Sequence, residues 1–520
     1  MLHRIALFAL AVGLLPACSN RENGTQDKSA SNATLDPTSP KRGGVLTVGT
    51  VWLPYMLDPI SVNHNPSIWF LQLINDQLVR VRKDGLGVEP GLAESWDISP
   101  NGLVYTFHLR PNLEFSDGEK LRASDVKFSL LRAAKDPSSV SGDLYPAFEV
   151  ETPDDRTCIL KLQAPWPAAL ATLALYTSSI IPEAYFKRVG SEIFSKAPIG
   201  AGPFVLGEIR NEQHAILKRN ARHWDAERPY LDEVRYIKIA DDLTRMLKLE
   251  AGEIDVADDV PISQVEPLRR TPGITVDSSY IMVSNFLILN PREKVFRDLK
   301  VRQAIHWAID RDALSRVVFA GNAEVSTSFM PRMLYSAPVP FHQDLQKARQ
   351  LLAESSSPQG LSARLLILPG TGIDEQLATV VQSQLERIGV HLELERVDFA
   401  TLLNRTQRGE YEAILGIDST SDTIDPSQYV HLLAVSTGMC AKWLGVDNPR
   451  ADELALKAKV ESNSEKRAEQ YLEIQHLMRD DAIMIGLIRP YKRTALRDYV
   501  HGFAIAPSAN FLFQNTWKTP

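Results

Sequence analysis

The segment Gly416–Pro426 reads GIDSTSDTIDP and concentrates three carboxylates, Asp418, Asp422 and Asp425. Acids grouped in this way can compensate a cation brought to them, because an ammonium taken out of water needs a charge-assisted partner. The same residues can simply shape a polar loop ahead of Pro426. They do not build a calcium loop: the acid spacing is wrong for an EF-hand and no central Gly is present. Covalent chemistry has no comparable candidate. Gly-x-Ser-x-Gly, phosphate-binding Gly-rich loops, Cys-x-x-Cys and His-Glu-x-x-His are all missing, and the eleven His are scattered. The expectation is a binding protein without catalytic residues, metal or cofactor, with a secreted enzyme as the competing class.

The N-terminus says where such binding would take place. Arg4, the apolar run Ile5–Leu15 and the small residues before Cys18 follow the order of a secretory signal peptide over residues 1–17. The run is too short for a membrane span. Leu15-Pro16-Ala17-Cys18 resembles the lipobox of bacterial lipoproteins, with Pro16 an unusual member. That resemblance makes Cys18 the lipidated first residue of the mature chain. From Ser19 to Pro40 only Ala30, Ala33 and Leu35 are apolar, which predicts a flexible tether over 18–40. The expected location is the periplasm or extracytoplasmic face, held to the membrane by lipid alone. The net charge is −7, or −8 once Arg4 leaves with the leader, so electrostatics favour no nucleic acid. The 503 remaining residues exceed one core and imply two or three domains. An oxidising compartment permits a disulfide between Cys158 and Cys440, which lie far apart in sequence; two lone, largely buried thiols are the plainer reading.

Tyr105, Phe107 and Leu109 alternate with polar residues as in a half-buried strand. Ser124–Arg132 looks like a capped helix start. Leu365–Leu368 reads as a buried strand. Leu377, Val380, Val381, Leu385 and Ile388 then fall at helical spacing before Gly389, and His391–Glu395 alternates again. Strand, helix and strand of these lengths predict a parallel pair with a right-handed crossover, hence an α/β domain. Ser462–Glu465 matches a capping box opening a helix with Ala468, Tyr471, Leu472, Gln475 and Met478 on one face. Asp298 stands at a cap position before Val301, Ala304, Ile305 and Ala308. Gly200 and Gly202 suit close backbone approach.

An ordered series of fragments then carries a family resemblance: Gly91-Leu92-Ala93-Glu94-Ser95-Trp96, Asn101–Arg110, Phe115-Ser116-Asp117-Gly118, Ala123–Val126, Pro198–Phe204, Ala251–Asp255, Asp298–Ala304 with Ala308-Ile309-Asp310, Gly409–Ala413 and Asp425-Pro426. The series resembles the family 5 extracellular solute-binding proteins, the peptide- and nickel-type receptors of ATP-binding-cassette importers. The resemblance implies a two-lobed α/β periplasmic-binding-protein-like fold (type II, cluster C) with an extra domain in the first lobe. It divides the chain into 41–60, 197–285 and 489–520 for domain I, 61–196 for domain II, and 286–488 for the second lobe. Ser284–Leu289 and Leu487–Arg489 become hinge candidates. The implied function is capture of a small solute, a di- or oligopeptide above all, between the lobes and delivery to permease subunits, by a monomer. Nickel chelates, haem, opines and oligosaccharides remain open.

The resemblance also implies site residues. Asp422 falls where peptide receptors of this family hold the free amine, and Asp418 lies in the same segment, while Asp425 reads as structural. Family members often carry an aromatic after the Gly that opens this segment; here it is Ile417, so one cleft wall differs. Lys442 and Trp443 correspond to another cleft-lining stretch, able to pair with a carboxylate and to stack on an apolar group. A surface Lys and a core Trp are the plainer readings. Trp52 leaves the first strand as a candidate wall, and Trp69 reads as core. Arg332 is the arginine considered as a carboxylate clamp, although its spacing does not single it out.

Overall fold

Val283–Leu289 shows what organises the second half of the chain. Its sequence VSNFLIL is buried at every residue. A half-buried strand would alternate, so a continuous run signals a sheet covered on both faces. Leu287 and Leu289 enter one core with Leu365, Ile367, Leu415 and Ile485. Phe286 and Ile288 face the other way, into a core with Leu366, Ile414 and Met484. The structure is a computed structural model describing residues 39–62, 64–210, 213–336, 339–368, 373–421 and 423–519, with backbone alone for 373 and 416–420. The leader and Cys18 lie outside the described residues.

Three sheets carry the fold. A six-stranded sheet has the order Ala323–Val325, Met484–Pro490, Val283–Leu289, Ala413–Thr420, Leu361–Ile367, Val390–Arg396. Its last two strands are parallel and joined through the helix Ile373–Glu386, as the strand–helix–strand spacing predicts. A seven-stranded sheet has the order Ile274–Ser279, Lys492–Arg497, Val256–Ala257, Val45–Thr50, Glu233–Lys238, His214–Arg219, Phe204–Arg210. A four-stranded antiparallel sheet, Ala93–Ile98, Val104–Leu109, Thr157–Leu162 and Phe148–Asp154, has its own core. The C-terminal stretch returns to the seven-stranded sheet: Phe511 and Phe513 enter its core with Leu46, Phe204 and Tyr236.

The chain passes between the two large sheets twice. Ile274–Ser279 belongs to one and Val283–Leu289 to the other; Met484–Pro490 and Lys492–Arg497 repeat the passage in reverse. The crossings are therefore Tyr280–Met282 and Tyr491. The hinge candidates Ser284–Leu289 and Leu487–Arg489 lie instead within strands of the six-stranded sheet, paired in its ladder on either side of a register shift at Phe286.

Several local expectations shift by a residue. The helix Ser464–Asp481 is capped by Asn463, whose side chain accepts from Lys466 N–H, and its buried face is Arg467, Tyr471, Ile474, Gln475 and Met478. The helix Ala123–Lys135 starts after Arg122, and its Asp125 carboxylate accepts from the Arg122 N–H at 2.9 Å. Asp298 caps Leu299–Ala308 as expected. Gly200 and Gly202 lie against Ile74 and Asn75, where a Cβ on Gly202 would stand 2.5 Å from the Ile74 carbonyl carbon.

Candidate functional site

The crossings define one end of each large sheet, and strand direction decides what else emerges there. Val45–Thr50 runs parallel to Val256–Ala257, and both that strand and Ile274–Ser279 are antiparallel to Lys492–Arg497. Val45–Thr50 and Ile274–Ser279 therefore point the same way, and the loop after Thr50 leaves at the crossing end. It exposes two aromatics, Trp52 and Tyr55, each 61% accessible. Tyr55 stacks obliquely on His64 at 4.6 Å. Exposed aromatics at the mouth of a cleft are a ready wall for a guest. Trp69 behaves differently. It is half-buried, its indole N–H donates to the Ser508 carbonyl at 3.3 Å, and Lys492 sits 4.7 Å from its ring. Burial opposes the charge of Lys492, but Asp258 at 2.8 Å and Asp259 hold it above the ordinary lysine range. This buried pair anchors the strand just after the second crossing.

On the six-stranded sheet, Ala413–Thr420 ends at the same place. Thr420 pairs with Val283, Asp418 with Asn285 and Ile417 with Phe286. Leu287 pairs with Leu415, so Gly416 is extruded as a bulge, and the neighbouring strand is irregular beside the same Phe286. Bulges of this kind bend a strand and re-aim the residues beyond them. The side chains of Ile417 and Asp418, and the whole of Asp422, lie outside the described ones. The loop around Asp422 is fixed on both sides. Ser421 N–H donates to the Met282 carbonyl at 2.9 Å, and Leu334 N–H donates to the Ile424 carbonyl at 2.9 Å.

Asp425 accepts from Ser427 N–H at 2.9 Å as the N-cap of Pro426–Ala434. Its carboxylate also takes both Nη atoms of the buried Arg467, at 2.6 and 2.9 Å. Arg467 reaches Tyr471 Oη at 3.2 Å and lies over the Tyr335 ring at 4.9 Å. Burial opposes this guanidinium charge, and Asp425 outweighs it, raising its pKa above the usual arginine value. Asp425 is thus structural. Tyr335, with φ of 58°, holds a left-handed backbone rare for a non-glycine residue. Nearby, Arg332 stacks on Tyr280 at 4.1 Å and pairs with Glu324 at 2.9 Å. The clamp expected of Arg332 is already engaged by Glu324.

Lys442 and Trp443 are not brought to this end. Their helix, Met439–Leu444, offers its last carbonyls to Arg292, at 2.5 Å for Lys442 and 3.1 Å for Trp443. Tyr411 Oη approaches the Trp443 carbonyl at 3.4 Å. Arg292 follows Leu289 and Tyr411 precedes Ala413, which places both at the opposite end of the strands, roughly 20 Å from the crossings at 3.3 Å per residue. The physical reason is helix capping: cationic Arg292 satisfies the C-terminal carbonyls and fixes the helix there. Tyr280, Tyr335 and the Arg467 network were not anticipated. An Arg and a Tyr four residues apart on one helix face was the available signal.

Among the described residues no group of three or more His, Cys, Asp or Glu could hold a metal ion, and no helix is long and apolar enough to cross a membrane. Cys158 and Cys440 are free thiols.

A family model for bacterial extracellular solute-binding proteins, family 5 (middle), matches residues 87–439. The chain is 26% identical to the oligopeptide-binding protein AppA of Bacillus subtilis, covering 98% of this chain and 97% of that one. It is 28% identical to heme-binding protein A of Haemophilus influenzae, over 84% and 85% of the two chains. The periplasmic binding protein DppA of Helicobacter pylori, solved with the peptide STSA, superposes with a TM-score of 0.78 at 27% identity, covering 92% of this chain and 99% of that one. Two large sheets joined by paired crossings, with the loops of both meeting at one end, match the two-lobed α/β fold of these neighbours. The chain belongs to the bacterial extracellular solute-binding proteins of family 5.

Proposed function

We propose that this protein binds a short peptide with a free amino terminus between its two lobes and passes it to the permease subunits of an ATP-binding-cassette importer. The observation that carries the reading is the convergence at the crossing end: the bulged segment from Gly416 to Asp425 and the exposed Trp52 and Tyr55 leave their sheets there together. Asp422 takes the ammonium, Asp418 and Ile417 line the same side, and Trp52 walls the other. Domain I comprises the seven-stranded sheet, domain II the four-stranded sheet and domain III the six-stranded sheet, with closure about Tyr280–Met282 and Tyr491. The guest leaves chemically unchanged. Cys18 carries the lipid, and residues 18–40 give the monomeric receptor its reach outside the cytoplasmic membrane.

A non-peptide guest is the second reading, favoured by the similarity to a heme-binding protein. A thermal-shift series on the full mature chain separates them. A ligand at about 100 times its Kd stabilises by about 2.7 kcal/mol. Peptides with free amines are expected to protect the wild type and not Asp422→Ala, while N-acetylated peptides protect neither. Protection of Asp422→Ala equal to that of the wild type removes the amine role.

A further inference from the structure

Between the body of the four-stranded sheet and the helices of the six-stranded sheet lies a cavity of about 120 Å³. Leu144 and Trp166 line it from one side; Val430, Val435, Ala455 and Leu456 line it from the other. Trp166 is held rigid by Tyr145 at 5.8 Å and Phe148 at 6.4 Å. Tyr471, fixed through Arg467 to Asp425, forms part of the wall. At the rim His431 Nε2 stands 3.4 Å from Asp143 Oδ2, so the two bodies meet over the space. An apolar cavity of about 150 Å³ holds a benzene, so this one suits a branched aliphatic group of four carbons.

One charge borders the cavity without an ion pair among the described residues: the exposed Lys459, on the same helix as Ala455 and Leu456. Asp143 and His431 face each other, and Asp425 is satisfied by Arg467. Val430 and Val435 lie five and ten residues beyond the Asp425 cap. That is roughly 7 to 15 Å along a helix, the span of two to four extended residues. A peptide whose amine lay beside the Asp425 cap and which ran along this helix would bring its other end here. We infer that this cavity is the subsite for a C-terminal aliphatic residue, leucine-like in size, whose carboxylate is met by Lys459. The inference rests on the peptide reading above and adds the guest's length and C-terminal chemistry.

The test is calorimetric titration of the full mature chain with Ala-Ala-Leu, Ala-Ala-Gly and Ala-Ala-leucinamide. Burying the leucine side chain predicts that Ala-Ala-Leu binds about 10- to 100-fold more tightly than Ala-Ala-Gly. Ala455→Phe, which fills the space, and Leu456→Asp, at a position 68% exposed and so compatible with folding, should each collapse that ratio. Lys459→Met should abolish the preference for acid over amide. Equal binding of the Leu and Gly peptides, equal binding of acid and amide, or ratios unmoved by these variants overturns the subsite while leaving peptide capture standing. Failure of all three peptides to bind the wild type overturns both. Unchanged unfolding midpoints of the unliganded variants establish that they fold.

Discussion

Asp425→Ala tests the wall of the site through its energetics. The substitution removes both oxygens that neutralise Arg467, whose side chain is 1% exposed. It also removes the cap on Ser427 N–H. Leaving a buried guanidinium without its partner costs about 3–5 kcal/mol, and losing an N-cap costs about 1 kcal/mol. Nε keeps its bond to the Ala458 carbonyl at 2.9 Å, so the arginine cannot swing out to water cheaply. The expected loss is about 4–6 kcal/mol. Replacing Arg467 by Met in the same background removes the stranded charge, so the double variant should regain about 2–3 kcal/mol over the single one. Urea unfolding followed by tryptophan fluorescence measures all three. A loss below about 1 kcal/mol for Asp425→Ala, or additive effects in the cycle, would refute the claim that this pair is a buried, mutually dependent unit.

Three further outcomes rest on burial and close approach. Burial, with Arg311 beside it and Arg479 and Lys347 farther off, holds His306 well below its ordinary 6.5. The folded state keeps it neutral while the unfolded chain protonates it, so stability is fully present above pH 6.5 and falls below it, by about 1.4 kcal/mol per pH unit; His306→Gln should flatten that slope in a pH series of urea melts. Burial pushes the thiols of Cys158 and Cys440 up to about 12 and about 11. Neither should react with a disulfide reagent at pH 8 until urea is added, and the unfolded lipidated chain should then show two thiols, against three if Cys18 is free. Gly202→Ala places a methyl against Ile74 backbone and should cost at least about 1–3 kcal/mol by the same melts.

What could be read from residue order was whatever repeats locally. The run at Leu365–Leu368, the helical spacing to Ile388 and Gly389 produced a parallel unit because each step depends on near neighbours. The exposed position of Trp52 was legible for the same reason: it lies just beyond the end of a strand. Where Lys442 and Trp443 sit was not legible, because the end of the sheet at which a short helix docks depends on Arg292, about 150 residues away in sequence. The crossings lie apart from the hinge candidates for a related cause. An apolar run such as Ser284–Leu289 marks a doubly covered strand, and the crossing is the short stretch Tyr280–Met282 before it, in which Ile281 and Met282 are buried as well. The cavity beside Trp166 is invisible to sequence, since its walls come from segments far apart along the chain.

Native mass spectrometry of the mature chain, purified without added ligand and then denatured to release its guest, identifies what the protein carries. A peptide receptor gives a bound mass that resolves into short peptides with free amino termini, recovered intact after prolonged incubation. Release of haem or a metal chelate, or steady conversion of an added peptide into fragments, would contradict that reading.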